Sequence, residues 1–215
     1  MILFPKPAVT FLDWMCSLSP GHSLEASLIL ASQSPRRRQL LSDAGYDFTV
    51  VAPSDAIERG ICSSCSPEDT VLEGAFLKAR AIASQTPKGL VLAADTVAEC
   101  QGEVLGKPTD RDHAERMLRL MSGKRHRVLT GVCLWDCPDN RRVCFLEQTI
   151  LRMDELSDEQ LTAILDSDSW VGKAGGFGYQ DGLDWLHVES GLESNVVGLP
   201  VEKLAGWIES FKNQA

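Results

Sequence analysis

The chain has 215 residues, of which 44% are hydrophobic and 24% charged, as in an ordinary globular protein. Its 21 lysines and arginines against 30 aspartates and glutamates give a net charge of −9, which excludes the overall positive field of a nucleic-acid or anionic-membrane binder. No apolar run reaches the ~18 residues that a membrane span needs. We therefore predict no nucleic-acid partner and no membrane partner.

The sequence of the N-terminal segment, residues 1–26, is not typical of a folded domain. Asp13 interrupts its apolar stretch at 7–18, and no long hydrophobic run of the signal-peptide type follows. We expect residues 1–26 to be a poorly ordered extension and residues 27–215 to form a single domain.

The cysteines indicate a reducing compartment. Seven cysteines at irregular spacing are too few for a disulfide scaffold, and reduced thiols suit a cytoplasmic protein. Cys62 and Cys65 form a CxxC pair, but Cys133 and Cys137 are spaced differently and lie in a predicted strand. Loop and core positions are therefore favoured over a zinc site, which needs four well-spaced ligands.

Strand-like and helix-like segments alternate along the chain. The predicted strands cover 27–31, 47–52, 89–95, 96–100, 103–105, 127–136, 142–151 and 185–189. The predicted helices begin at Pro35, Pro67, after Thr109, at the capping box of Ser157, and at Pro200. Crossover helices favour parallel strand pairs and the hairpins favour antiparallel ones, so the pattern predicts an α/β fold with a mixed sheet.

A first candidate site lies between the first strand and the first helix, in the segment SQSPRRR. A helix N-terminus attracts anions through its free N–H groups and its dipole. Ser32 adds a hydroxyl, and Arg36 and Arg37 offer bidentate donors for phosphate. The alternative is a simple helix cap followed by solvated arginines.

A second candidate is Asp95-Thr96, which we place at the end of an apolar strand, where catalytic groups of α/β proteins often lie. A carboxylate there can bind a divalent cation or orient a water. Lys107 follows, held between Gly106 and Pro108, and supplies a point charge suited to phosphate. A turn cap and a solvated turn lysine are the structural alternatives.

A third candidate is the segment GKAGGFGYQ, whose glycines allow close approach to a ligand. Lys173 carries charge, and the amide of Gln180 can read a base edge. Glu58 and Lys78 are weaker single candidates, each typical of plain surface. For His126 we expect a hydrogen-bonded structural role rather than catalysis.

Taken together and in order, SQSPRRRQLL, AADTV, GKP, RHRVLTGV, GKAGGFGYQ and SNVVGLP resemble the Maf family of nucleoside triphosphate pyrophosphatases, from about residue 27 to residue 211. The resemblance implies an elongated mixed sheet flanked by helices, with two lobes and a central cleft. It also implies hydrolysis of a nucleoside triphosphate to a monophosphate and pyrophosphate, a Mg²⁺ or Mn²⁺ cofactor, and a possible homodimer.

The resemblance also implies residue roles. The general base falls on Asp95, and the metal ligands fall on Asp95 and Glu58. The residues that select dTTP and UTP fall on Arg36, Thr96 and Gln180. The phosphate-binding positions are Ser32, Arg36, Arg37, Lys78, Lys107 and Lys173.

The sequence leaves open alternatives to a dTTP/UTP pyrophosphatase. Tyr179 stands where the family commonly has a small aliphatic residue, which bears on the preferred base, and the acidic loop around Glu58 has one carboxylate displaced. A 7-methyl-GTP pyrophosphatase, or a non-catalytic nucleotide-binding regulator of cell division, would use the same pocket. A metal or redox module at Cys62 and Cys65 is a further alternative.

Overall fold

The computed structural model describes residues 27–54, 57 and 66–213. The predicted extension at 1–26, the candidate Glu58, and the pair Cys62 and Cys65 lie outside this part of the chain. The strands are β1 Leu28–Ala31, β2 Phe48–Val50, β3 Leu90–Cys100, β4 Glu103–Leu105, β5 Arg125–Asp136, β6 Arg141–Met153 and β7 Leu186–Ser190. The helices are α1 Pro35–Asp43, α2 Pro67–Ala83, α3 Arg111–Met121, α4 Asp158–Asp166, α5 Glu193–Val197 and α6 Val201–Asn213.

The strands form one mixed sheet in the order β2-β1-β3-β5-β6-β7, with β4 paired to β3. The pairs β1–β2 and β1–β3 are parallel, and β3–β5, β5–β6 and β6–β7 are antiparallel. The strands β3, β5 and β6 are the longest, with 11, 12 and 13 residues. The α/β class and the mixed sheet predicted from the sequence are confirmed.

The buried side chains fall into groups at the two ends of this sheet, which makes two lobes. At one end β1, the first half of β3 and helices α1 and α6 share a core that includes Leu30, Leu41 and Leu204. At the other end the second half of β3, with α3 and α4, packs around Met121 and Leu161. The central strands are common to both lobes, so the groove between the lobes runs across the middle of the sheet.

Local capping explains why the helices begin where they do. The side chains of Ser34 and Ser66 accept hydrogen bonds from the N–H groups of Arg37 and Asp69, and a proline follows each cap. Ser157 caps α4 in a complete capping box, as the sequence predicts. Helix α3 is capped by Asp110 rather than by Thr109, one residue later than predicted.

Two predictions about the middle and the end of the chain are corrected. The strands expected at 89–95 and 96–100 form the single strand β3, so Asp95 lies in mid-strand and not at a strand end. Helix α5 was not expected in the motif SNVVGLP. Its five residues are too few for a helical period to show in the sequence, and only Gly198 after its last turn marks its end.

His126 is buried in the wall between the lobes, with only 4% of its surface exposed. Its ring meets Phe177 edge-on at 5.5 Å, and neither ring nitrogen has a hydrogen-bond partner of normal geometry. The hydrogen bonds expected for it are therefore missing. Burial lowers the pKa of His126 from 6.5 to about 4, against weaker opposing effects of the Lys124 backbone and Glu99.

This burial predicts an acid-dependent loss of stability. Between pH 6.5 and about 4 the unfolded chain binds a proton at His126 that the folded chain does not. The free energy of unfolding should therefore fall as the pH falls, by about 3 kcal/mol in total from this group. Urea unfolding of the wild type and of His126→Leu across this range should show a smaller slope in the variant. His113→Gln, a control at a partly exposed histidine, should keep the wild-type slope, and equal slopes in all three proteins would contradict the prediction.

In the part of the chain that the structure describes, no helix combines the length and apolar character needed to cross a bilayer.

Candidate active site

The groove between the lobes contains a cleft of about 390 Å³, and the strand pairing shows why it opens there. On one edge, β3 pairs with β1 only up to Ala93 and with β4 only from Ala98. The stretch between these two residues has no strand beside it on that edge. Asp95 and Thr96 lie in this gap, so the fold leaves both side chains partly accessible in mid-strand.

The SQSPRRR segment enters the cleft because β1 ends at Ala31, directly beside the gap. The hydroxyl of Ser32 is buried and accepts a hydrogen bond from the N–H of Ser34 at 3.1 Å. Helix α1 then begins with its N-terminus facing the cleft. This arrangement places free N–H groups and two arginines at one end of the cavity, as expected of an anion site.

Arg37 is the buried anchor of this end of the cleft. Its guanidinium donates to the carbonyl of Gly198 at 2.7 Å, to the Thr96 hydroxyl at 2.9 Å and to Ser32 at 3.4 Å. These bonds join α1, β3 and the segment after α5. Most of its N–H groups thus donate hydrogen bonds to other groups of the protein, while its positive charge remains at the cleft wall.

A polar chain continues from this anchor into the core. The hydroxyl groups of Thr96 and Thr130 lie 3.0 Å apart, and Thr130 donates to the carbonyl of Asn195 at 3.3 Å. The Asn195 amide donates to Val128 and Thr149, each at 3.1 Å. Sequence reasoning missed this chain, because the partners of Thr130 and Asn195 are far away in the sequence.

Asp95 forms an ion pair with Lys78 of α2, whose ammonium lies 2.6 Å from one carboxylate oxygen. The lysine side chain is 7% exposed and the aspartate side chain 15%. Gly74, one turn earlier in α2, lies against the other carboxylate oxygen, since a Cβ there would be 2.5 Å from it. The helix therefore fixes the position of the carboxylate and keeps it next to a cation.

The glycine-rich segment forms the opposite wall. Lys173 pairs with Asp181, and Gly178 lets the two side chains meet, since a Cβ would lie 2.4 Å from the lysine nitrogen. Arg36 reaches across to donate to the carbonyl of Gly172 at 3.2 Å. Burial lowers the pKa of Arg36, with Asp181 opposing the shift, so this is a partly desolvated cation at the mouth of the cleft.

Tyr179 and Gln180 lie side by side on this wall. Burial, together with a hydrogen bond to Glu193, raises the pKa of Tyr179 to about 12. The phenol therefore stays neutral at physiological pH, and its ring is held in place. Gln180 is exposed at the cleft.

The charge at the cleft is opposite to the charge of the whole chain. Among the described residues that line it are five cations and one carboxylate, Asp95, although the chain carries a net charge of −9. Such a reversal concentrates positive potential in a concave site and favours a polyanionic ligand. The cations are Arg36, Arg37, Lys78, Lys107 and Lys173.

The described residues hold no group of three or more His, Cys, Asp or Glu side chains that could enclose a metal ion. Among the residues that the structure describes, Asp95 alone offers a carboxylate to the cleft. Mg²⁺ commonly binds through one or two carboxylates together with substrate phosphates and waters. The donor set fits a cation that shares the oxygens of a bound polyphosphate, and does not fit one held by protein ligands alone.

The structure thus brings together every predicted site residue that it describes. All nine line the same cleft, namely Ser32, Arg36, Arg37, Lys78, Asp95, Thr96, Lys107, Lys173 and Gln180. Sequence reasoning missed the apolar part of the wall, formed by Val128, Val171, Phe177, Val196 and Val197. A valine or phenylalanine in a strand or loop carries no sequence signal that separates core from cleft.

An α/β protein with a cationic cleft at an open position of its sheet, facing one carboxylate, belongs to the class that binds phosphorylated ligands. The family model described as "Maf-like protein" matches residues 27–211. The chain therefore belongs to the Maf family, as its motifs predicted.

Three curated relatives share the printed name "dTTP/UTP pyrophosphatase". The protein from Rhodopirellula baltica is 56% identical over 190 residues, covering 88% of this chain and 84% of the relative. Those from Salinibacter ruber and Bacillus anthracis are 41% and 37% identical, over 87% and 86% of this chain and 92% and 95% of their own lengths. A solved HAM1 protein from Coxiella burnetii overlaps 58% of this chain and 70% of its own at 16% identity, with a TM-score of 0.39.

Proposed function

We propose that this protein hydrolyses nucleoside triphosphates between the α- and β-phosphates, releasing a nucleoside monophosphate and pyrophosphate, with dTTP and UTP as preferred substrates. The observation that carries the proposal is the cleft itself, where five cations surround the carboxylate of Asp95. The names of the curated relatives support the same reaction and the same nucleotides. We also propose that the residues from 27 onward act as one catalytic domain.

The cations of the cleft bind the triphosphate in this proposal. Lys107 and Lys173 approach from the second lobe, and Arg36 from the N-terminus of α1, so phosphates in the groove meet positive charge from both lobes. Ser32 and Arg37 form the floor, where their mutual hydrogen bond orients the loop. Phosphoryl chemistry depends on such positioning and charge neutralisation, and the departing pyrophosphate needs the same cations.

Asp95 is the proposed general base. It accepts a proton from a water that it orients toward the α-phosphorus, and Lys78 holds the carboxylate in place at 2.6 Å.

A divalent cation, Mg²⁺ or Mn²⁺, completes the proposal, with Asp95 as its described ligand and Glu58 as the second candidate. When bound, such an ion neutralises phosphate charge and lowers the pKa of a coordinated water.

Base selection is proposed to rest on Arg36, Thr96 and Gln180. The primary amide of Gln180 offers both a donor and an acceptor, which matches the edge of a uracil or thymine ring. Arg36 sits at the mouth of the cleft, tied to Gly172. The Thr96 hydroxyl is hydrogen-bonded to Arg37 and Thr130. Its proposed contribution is therefore to shape the floor of the cleft beneath the nucleotide.

Gln180→Ala should lower kcat/KM for dTTP and UTP by roughly 10- to 100-fold, the cost of one lost hydrogen-bond readout of about 1–3 kcal/mol. The lower activity that we expect toward GTP should change little. Gln85→Ala, two residues beyond the C-terminus of α2, serves as the matched control and should behave as wild type. An equal loss for every nucleotide would show that Gln180 contributes to phosphate binding or folding and not to base selection.

The reaction is tested by measuring pyrophosphate release with Mg²⁺ or Mn²⁺ from dTTP, UTP, CTP, GTP, 7-methyl-GTP and modified pyrimidine triphosphates. Preference for dTTP and UTP supports the proposal. Preference for 7-methyl-GTP would keep the chemistry and overturn the specificity. Nucleotide binding without turnover would favour a non-catalytic regulator of cell division.

We propose a cytoplasmic location, where the thiols stay reduced, and a nucleotide-pool role with a possible homodimeric assembly. The described cysteines Cys100, Cys133, Cys137 and Cys144 are all unpaired by disulfides in the structure.

A further inference from the structure

Two cysteines lie opposite each other on neighbouring strands of the sheet, outside the cleft. Cys133 of β5 and Cys144 of β6 are direct register partners in the antiparallel pair. Their side chains lie on the face covered by α2, where Cys133 belongs to the same buried cluster as Ala75 and Ala79 and Cys144 packs against that cluster. The proposed pyrophosphatase function uses neither thiol.

The register places the two backbones at a spacing that a disulfide tolerates. Directly opposed residues of an antiparallel pair have Cα atoms about 4.5 or 5.5 Å apart, and disulfides span Cα separations of about 4.4–6.8 Å. The two side chains lie on the same face of the sheet, so a disulfide needs rotation of the side chains and no change in strand register.

The two thiols differ in exposure and in pKa, and thiol–disulfide exchange depends on both properties. Cys133 is fully buried, whereas Cys144 is partly exposed. Interaction with Cys144, followed by burial, raises the pKa of Cys133. Interaction with Cys133, aided by the charge of Arg142, lowers the pKa of Cys144 against the opposing effect of burial. Cys144 is therefore the accessible group with more thiolate character, and thiolates are the attacking species.

We propose that Cys133 and Cys144 form a reversible cross-strand disulfide when the protein meets a low-molecular-weight disulfide of the glutathione type. The Cys144 thiolate attacks one sulfur of that oxidant, forming a mixed disulfide and expelling one thiolate. Cys133 then loses its proton and attacks the Cys144 sulfur, which expels the second thiolate. The two protein thiols are oxidised, the small disulfide is reduced to two thiols, and these carry away the two protons.

The bond should be easy to reduce again. Side chains directly opposed in an antiparallel pair have Cβ atoms about 4.5–5.5 Å apart, wider than the ~3.8 Å typical of a disulfide. Closing this gap strains the pairing of β5 and β6. Strained disulfides have more oxidising reduction potentials and are therefore reduced more easily. A transient bond of this kind is compatible with a reducing compartment.

The test treats the full-length protein with oxidised glutathione at neutral pH, blocks free thiols and digests with trypsin without reductant. Cleavage after Arg127, Arg141, Arg142 and Arg152 puts Cys144 on the peptide 143–152 and Cys133 with Cys137 on the peptide 128–141. We expect these two peptides to be joined, and dithiothreitol to separate them. Amide hydrogen exchange on the treated protein verifies that the strands remain folded.

Three variants identify the bond. Cys137→Ser should keep the joined peptides, which excludes Cys137 as the partner. Cys133→Ser should lose them and accumulate glutathione on Cys144, because the second thiol that resolves the mixed disulfide is missing. Cys144→Ser should show neither product. Separate peptides in folded wild-type protein, or a link that requires Cys137, would overturn the proposal, and neither result bears on pyrophosphate release.

Discussion

Replacing Asp95 by Asn is expected to lower kcat by about 10²- to 10⁴-fold, the usual contribution of a positioned general base. Asn keeps the size of the side chain and can still accept a hydrogen bond from Lys78, so the geometry of α2 and β3 should persist. Removing the only described carboxylate of the cleft also removes repulsion toward the triphosphate. KM should therefore stay the same or fall while kcat collapses.

In this variant the buried ammonium of Lys78 would lose its ion pair with Asp95, which should lower the free energy of unfolding by about 1–3 kcal/mol. Steady-state pyrophosphate release and urea unfolding measure the two effects separately. Asp166→Asn makes the same charge change in an exposed ion pair with Arg111, and should leave turnover unchanged and stability within about 0.5 kcal/mol. Near-wild-type turnover of folded Asp95→Asn would refute the role of Asp95.

Gly131→Ala is expected to lower the free energy of unfolding by about 3 kcal/mol or more, at the upper end of the cost of overpacking. A Cβ at this position of β5 would lie 2.2 Å from the carbonyl oxygen of Val71 and 2.8 Å from the nitrogen of Leu72. Both are backbone atoms of α2, so no side-chain rotation relieves the overlap. The whole helix must move away from the sheet, which also carries Lys78 away from Asp95.

Gly206→Ala is the matched control, since nothing lies within 4 Å of the Cβ it would add in α6. It should stabilise the protein by about 0.5–1 kcal/mol, because alanine is the better helix former. Urea unfolding should therefore show changes of opposite sign in the free energy of unfolding, a decrease for Gly131→Ala and an increase for Gly206→Ala. A loss below about 1 kcal/mol in Gly131→Ala would show that α2 is not held against β5 as closely as the structure indicates.

The helix starts and the phosphate loop were predictable because their determinants are local. Ser34 followed by Pro35 and the Ser157 capping box act within one turn of the chain. The charges of Arg36, Lys107 and Lys173 were visible as residue types in glycine- and proline-rich segments. The succession of motifs supplied the family, and the family model confirmed it.

The sequence by itself therefore determined the α/β class, the elements other than α5 and the continuity of β3, and the identity of the candidate residues. The tertiary structure decided the rest: that Asp95 is accessible in mid-strand because β1 and β4 leave a gap beside it, that Arg37 binds Gly198 across 161 positions, and that Cys133 meets Cys144. These depend on strand register and on contacts between distant segments. A sequence pattern reports the face on which a side chain lies, but not which distant residue the register brings to it.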